Sequence, residues 1–215
     1  MRYKWYVFDF DYTLADSEKG IVLCFQHVFL QNGFPKGDEM AIKRTIGMEL
    51  NDAFRLLLGE ENPDTLKRYH QEFTQMANLE MTKNTRLYPE VIPMLKELKS
   101  AGAKVGILSS KRRVRIQESI DKYQIQDYVT RVVGMEDVTA AKPDPEGICR
   151  LMKEESIKKE ELLYIGDSII DAKTAQNVGV DFAAVTTGIT TAEEFKPFPH
   201  KRIMADLSEL PKFFG

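Results

Sequence analysis

Thiols and imidazoles are scarce in this 215-residue chain, which has two cysteines and three histidines. Cys24 and Cys149 each fall inside a helical pattern. They are expected to be buried thiols in a reducing compartment rather than a disulfide framework. His27, His70 and His200 are scattered without metal-ligand spacing, so none is given a role. No apolar run approaches the roughly 18 residues that a membrane-spanning helix needs. The first run, ending in Tyr6-Val7-Phe8, stops at Asp9, too early for a secretory signal. A strong excess of either charge is also missing. Thirty basic residues face 33 acidic ones, for a net charge of -3. No basic excess points to nucleic acid or to an anionic membrane surface. Repeats and low-complexity stretches are absent too. The chain is expected to be a soluble cytoplasmic protein that binds neither nucleic acid nor membrane.

What is present is a change of pattern along the chain. A short buried strand, Trp5 to Asp9, is followed by a helix starting near Asp16 or Ser17, either of which can cap it. Ile21, Cys24, Phe25, Val28 and Phe29 fall on one face of that helix. Asp38 to Ile46, Leu50 to Leu58 and Pro63 to Met81 also read as helices, and no strand is evident before about Lys83. After Leu87 the chain alternates strictly. Buried strands at Lys104–Ser109, around "RVVG", at Leu162–Asp167 and at "DFAAVT" are separated by single helices, and Arg202 to Met204 adds a last short strand. This is the pattern of a parallel sheet covered on both faces. The expected fold is α/β: a doubly wound parallel sheet from residues 1–14 and 84–215, with an all-helical unit, residues 15–83, inserted after the first strand.

Ligands of open parallel sheets bind beyond the carboxyl ends of the strands. The residues at those positions are therefore the candidates. Asp9 and Asp11 follow the first strand, and Ser109 and Ser110 follow the second. Lys142 comes after "RVVG" through a loop, and Asp167 and Asp171 follow "LLYIG". Asp9, Asp11 and Asp167 offer hard oxygen ligands without sulfur or nitrogen, a set that suits Mg2+. Left without a cation, such carboxylates would repel one another and some would bind protons unusually tightly. Lys142 and the Ser109 hydroxyl suit the remaining oxygens of a phosphate. An aspartate beside a metal and a lysine can attack phosphorus and form an aspartyl-phosphate. A carboxylate two residues away can protonate the leaving oxygen and then activate water. Asp9 is the expected nucleophile and Asp11 its acid/base partner.

These residues carry a resemblance to the haloacid dehalogenase superfamily. "DFDYT", "ILSS", "AKPDP" and "GDSIID" resemble its four motifs and occur in its order. The likeness implies a Rossmann-like core with a helical cap, as in the subgroup of phosphoglycolate phosphatases, bacterial pyrophosphatases and beta-phosphoglucomutases. "RTIGMELNDAF" and "TTGITTAEEF" are most similar to the first two. It implies that Asp9 is the nucleophile and Asp11 the general acid/base, that Ser109 and Lys142 bind the phosphoryl group, and that Asp9, Asp11 and Asp167 hold magnesium. It also implies that Asp171 orients Lys142 or a metal water, with Thr13, Ser110 and Ser168 in support. One position departs from the pattern. Tyr12 stands where these phosphatases most often have glycine, and tyrosine does not adopt unusual backbone angles as cheaply.

The activity expected is Mg2+-dependent hydrolysis of a small phosphorylated metabolite. A sugar phosphomutase would use the same two carboxylates. A non-enzymatic phosphate-binding regulator on a receiver-type sheet is the alternative from another class, but such domains lack a large helical insert after the first strand. In the helical unit, Lys43, Arg44 and Arg55 are candidates for an acidic end of the substrate, against the commoner role of a solvated helix face.

Overall fold

The computed structural model describes residues 2–214, and the side chains of residues 2–212. Its strands are β1 (Trp5–Phe8), β2 (Ala15–Asp16), β3 (Arg86–Leu87), β4 (Lys104–Leu108), β5 (Arg131–Val133), β6 (Leu162–Gly166), β7 (Asp181–Val185) and β8 (Arg202–Met204). Six of them form one parallel sheet in the order β5-β4-β1-β6-β7-β8. The helices are α1 (Glu18–Gln31), α2 (Glu39–Lys43), α3 (Leu50–Leu58), α4 (Pro63–Glu80), α5 (Val91–Ser100), α6 (Arg113–Tyr123), α7 (Glu146–Glu155), α8 (Ile169–Val178), α9 (Ala192–Phe195) and α10 (Leu210–Phe214). No described helix is long and apolar enough to cross a membrane.

Side chains alternate across a strand, so β1 builds two cores at once. Tyr6 and Phe8 join Val91, Leu95, Ile116 and Ile120 of α5 and α6 on one face. Trp5 and Val7 join Ile148, Leu151, Ala172 and Ala175 of α7 and α8 on the other. Burial on both faces explains why β1 reads as an uninterrupted apolar run. The sheet is doubly wound, as expected. From β1 the chain passes to β4 and β5 on one side, then returns to β6 on the other. The direction of winding reverses around β1, which opens a crevice at its carboxyl end.

Between β1 and β4 lie α1 to α4, which bury a core of their own. Phe25 sits 5.0 Å from Phe54 and 5.1 Å from Phe73, ring to ring, and Phe54 is 5.3 Å from Tyr69. Each such aromatic pair adds roughly 0.5–1.5 kcal/mol beyond its buried area. The two connections to the sheet pair as an antiparallel ribbon, β2 with β3. Two residues a side are too few for any alternation to be visible in the sequence.

Three local expectations are corrected. The helix expected over 38–46 is regular only from Glu39 to Lys43, because the backbone then tightens into turns in which Thr45 bonds to Ile42 and Ile46 to Lys43. Ser17 stands at the start of α1 but its hydroxyl does not cap the helix; it donates to Asp11 instead. Cys149 is exposed rather than buried. Its neighbours Ile148 and Leu151 face the sheet, and the 100° step per residue turns Cys149 outward.

Candidate functional site

The parallel register brings the expected residues together. Phe8 is level with Ile107 on one side and with Ile165 on the other. Asp9, Ser109 and Asp167 therefore leave three neighbouring strands at nearly the same height. The Asp9 amide donates to the Ile165 carbonyl at 2.9 Å, and the Ser109 amide to Val133 at 3.1 Å. All three side chains are buried. Lys142 reaches in from the loop after β5. Its Nζ lies 3.1 Å from Asp9 Oδ1 and 2.7 Å from Asp171 Oδ1. Asp171 is fully buried, held at Oδ1 by the Tyr164 hydroxyl at 2.7 Å and at Oδ2 by the Ser168 hydroxyl at 2.6 Å.

Negative charge is in excess here. Carboxylate oxygens of Asp9, Asp167 and Asp171 lie within 4.8 Å of one another, around the single ammonium of Lys142. Asp9 Oδ1 accepts no hydrogen bond, so its contact with Lys142 is an ion pair of poor direction. Burial, with Asp171 and Asp11 nearby, pushes the Asp9 carboxyl up to about 7 despite Lys142. Burial also raises Asp167 well above the usual carboxylate range, helped by Asp171 and Asp9. Burial alone would lower the Lys142 ammonium, but Asp171 and Asp9 together hold it above its ordinary value. A buried unpaired oxygen among carboxylates that resist ionising, with only oxygen donors, fits a hard divalent cation.

Asp11 sits in a different setting. Its carboxylate is outside that trio and is taken by Lys111, whose Nζ lies 2.8 Å from Oδ1 and 3.1 Å from Oδ2, and by the Ser17 hydroxyl. The Lys111 side chain is only 7% exposed. Thr13 donates to Asp167 Oδ1 at 3.1 Å. Between them Tyr12 adopts a left-handed backbone, with φ 58°. A non-glycine residue there costs roughly 1–2 kcal/mol. The loop after β7 closes over this point. A Cβ at Gly188 would overlap Asp167 Oδ2 and crowd Tyr12, so only glycine lets that backbone pass.

The helices α2 to α4 overhang the crevice. A partly open cavity of about 100 Å3 lies between Asp11, Ser110, Lys111 and Arg112 below and Thr45 and His70 above. The Ser110 hydroxyl is buried there without a hydrogen-bond partner. Lys43 and Arg44 line a second opening, beside Asp167. Lys43 is already paired with Glu18 at 2.8 Å. Arg55 is not at the crevice; it pairs with Asp52 at 2.6 Å and Glu61 at 3.6 Å.

Several contributors escaped the sequence. Lys111 opens the run Lys111-Arg112-Arg113, which reads as a solvated turn; its nearness to Ser109 was the available signal. Tyr164 reads as one more core residue of β6, although its hydroxyl is turned to Asp171. Ser17 reads as a helix cap, and His70 as a residue without a role.

Comparison with known proteins agrees with this architecture. Residues 6–185 match the family model of the haloacid dehalogenase-like hydrolases. The chain belongs to that family, and it is a hydrolase of the phosphatase class. It is 30% identical to a phosphoglycolate phosphatase from Rhodobacter capsulatus over 95% of this chain and 94% of the relative. It is 29% identical to the pyrophosphatase PpaX of Bacillus cereus, over 92% and 91% respectively. A solved haloacid dehalogenase-like hydrolase from Bacteroides fragilis superposes with a TM-score of 0.95 at 44% identity, covering 97% of this chain and 99% of that one.

Proposed function

We propose that the protein is a magnesium-dependent phosphatase of small phosphorylated metabolites that works through an aspartyl-phosphate on Asp9, with residues 15–83 as its cap. The observation that carries this is the state of Asp9: buried, 3.1 Å from Lys142, and with an oxygen that no hydrogen bond occupies. Asp9 and Asp167 are the carboxylates that would hold the ion, and Asp11 would join them on giving up its bonds to Lys111 and Ser17. When bound, it neutralises the carboxylates and draws charge from the phosphoryl oxygens. An Asp9 oxygen attacks phosphorus, the bond from phosphorus to the leaving oxygen breaks, and Asp11 protonates that oxygen. Asp11 then takes a proton from water as the water oxygen attacks phosphorus, which releases Asp9 and inorganic phosphate. Ser109, Ser110 and Lys142 bind the phosphoryl oxygens, while Asp171 keeps Lys142 charged and in place. Thr13 orients Asp167. The exposed free thiol of Cys149 fits the reducing compartment, the cytoplasm, where we place this activity.

The cavity between cap and core supports a reading of the substrate class. About 100 Å3 suits a leaving group of a few heavy atoms. Its wall is largely apolar, and of its cations Lys111 is held by Asp11 and Arg115 by Glu118, so Arg112 is the one that favours an anionic leaving group, a carboxylate or a second phosphoryl, over a neutral sugar. Phosphoglycolate and pyrophosphate, the compounds in the relatives' names, both have that character. The test is phosphate release from a panel of small phosphate esters and pyrophosphate, with Mg2+ and with chelator. Release that needs Mg2+ and falls by about 10⁴ in Asp9→Asn is expected. Release that survives chelation or Asp9→Asn would overturn the proposal. Arg112→Met should raise KM about tenfold for phosphoglycolate or pyrophosphate and much less for a phosphate ester with a neutral leaving group.

A further inference from the structure

Tyr12 bears the least expected backbone of the site and also the least expected bond. Its hydroxyl donates to Glu18 Oε2 at 2.7 Å. The other oxygen of the same carboxylate, Oε1, is 2.8 Å from Lys43 Nζ at the end of α2. Neither charged partner is fully solvated, with side-chain exposures of 32% for Glu18 and 21% for Lys43. Burial alone would raise the Glu18 carboxyl, but hydrogen bonds from Lys43 and Tyr12 hold it below its ordinary range. The Tyr12 carbonyl accepts from the Thr187 hydroxyl, which fastens the other side of the loop to the segment after β7. Next to it, Asp11 accepts from Ser17. Two successive side chains of the catalytic loop are thus tied to two successive residues at the start of α1. Past Lys43 the chain runs over the opening beside Asp167, which Tyr12, Lys43 and Met48 all line.

We infer that Tyr12 is a positioning residue: through Glu18 and Lys43 it ties the catalytic loop to α2 and sets the cap over the acidic crevice. A glycine at position 12 would relieve the backbone but make no such tie. The side chain offers a reason for keeping a strained residue there, because strain persists where the surroundings over-determine it. The inference rests on the phosphatase chemistry proposed above only for its kinetic consequence. The tie itself is a matter of geometry and can be tested without turnover.

The first measurement is hydrogen exchange of the amides of residues 39–46, in the whole protein without substrate. Tyr12→Phe keeps the ring and removes only the hydroxyl. Tyr12→Phe, Glu18→Gln and Lys43→Met should each speed exchange of this segment by about tenfold. The double variant Tyr12→Phe/Lys43→Met should be no faster than either single change, since one chain of bonds is cut once or twice. Lys43→Arg should restore protection. The second measurement is hydrolysis of p-nitrophenyl phosphate with Mg2+. Tyr12→Phe should raise KM by about fivefold and leave kcat within twofold, because the tie places the cap and does not touch phosphorus. Tyr12→Gly should match Tyr12→Phe in both measurements while folding normally. Unchanged exchange in Tyr12→Phe, additive effects in the double variant, or wild-type behaviour of Tyr12→Gly would overturn the inference. If the wild-type protein fails to hydrolyse p-nitrophenyl phosphate or any ester of the panel, the phosphatase proposal falls, while the exchange data still decide the tie.

Discussion

The strand ends of the sheet bury charge, whereas the helices above them bury rings. In the crevice, Asp9 and Asp171 share one ammonium with Asp167 close by, and one Asp9 oxygen is left without a hydrogen bond. In the helical cluster, Phe25, Phe54, Phe73 and Tyr69 pack edge to face or tilted, and the charges on its outside are paired across solvent. The first arrangement costs free energy in the metal-free chain, and the second supplies it. A fold keeps such an expensive cluster where a ligand completes it. It keeps a well-packed aromatic core where a body must move or hold as a unit. Under the proposed function, chemistry belongs to the sheet and selection to the helices, and each side can be attacked separately.

The sharpest way to break the contrast is to remove the one cation between Asp9 and Asp171. Lys142→Met leaves both carboxylates buried without it. Phosphate release is expected to drop by about 10³. Metal-free stability in urea should fall by about 3–5 kcal/mol, the cost of stranding a buried partner. A variant that keeps its rate would remove Lys142 from the phosphoryl site.

On the other side, Phe54→Ala takes the central ring out of the aromatic cluster. Phe54 is fully buried and touches Phe25, Tyr69 and Phe73. A loss of about 3–5 kcal/mol is expected, with hydrogen exchange faster in residues 18–80 than in the sheet. An equal loosening of β1 and β6 would mean that the helices and the sheet form one cooperative unit, and the comparison would have to be given up.

A milder perturbation is the metal itself. Asp9 binds its proton near 7 in the folded chain, against about 3.9 for an unfolded aspartate. The folded state is therefore the tighter proton binder between those values. Stability from this group is fully present below about pH 4 and is lost as pH rises through about 7. Asp167, raised chiefly by burial, acts in the same direction. Bound Mg2+ would replace the proton as the compensating charge. Saturating Mg2+ should raise Tm by about 5 °C at pH 8 and by much less at pH 5. Thermal scans at the two pH values check this; an equal shift at both would disconnect the ion from these carboxylates.

How much of this was legible depended on how local the signal was. Asp9, Ser109 and Asp167 could be found because each follows a buried strand, and the parallel register then forces them side by side. The fold was legible for the same reason: Tyr6 and Phe8 must face one way and Trp5 and Val7 the other. Lys111 and Tyr164 were not legible, because which atom a lysine or a hydroxyl reaches is set by residues a hundred or seven positions away. The departure at Tyr12 was visible as an oddity of residue type, but its bond to Glu18, and from there to Lys43, belongs to the packed structure. Residue type gave Arg55 the same standing as Lys43, and only the fold tells them apart.

That last pair supports the smallest effect. Arg55 lies on the outer face of α3, 40% exposed, with Asp52 at 2.6 Å and Glu61 at 3.6 Å as its partners. Exposed pairs of this kind contribute roughly 0–1 kcal/mol. Arg55→Ala should change Tm by less than about 2 °C and kcat/KM for any substrate of the panel by less than about twofold. Arg112→Met, which removes a cation of the same charge from the cavity wall, should alter KM for an anionic leaving group about tenfold. Charge alone would make the two substitutions equal. If they are equal, long-range attraction to the whole cap gathers the substrate, and raising the salt concentration should weaken both wild type and variants alike. If only Arg112 matters, selection occurs by contact at the cavity wall rather than through the field of the whole surface.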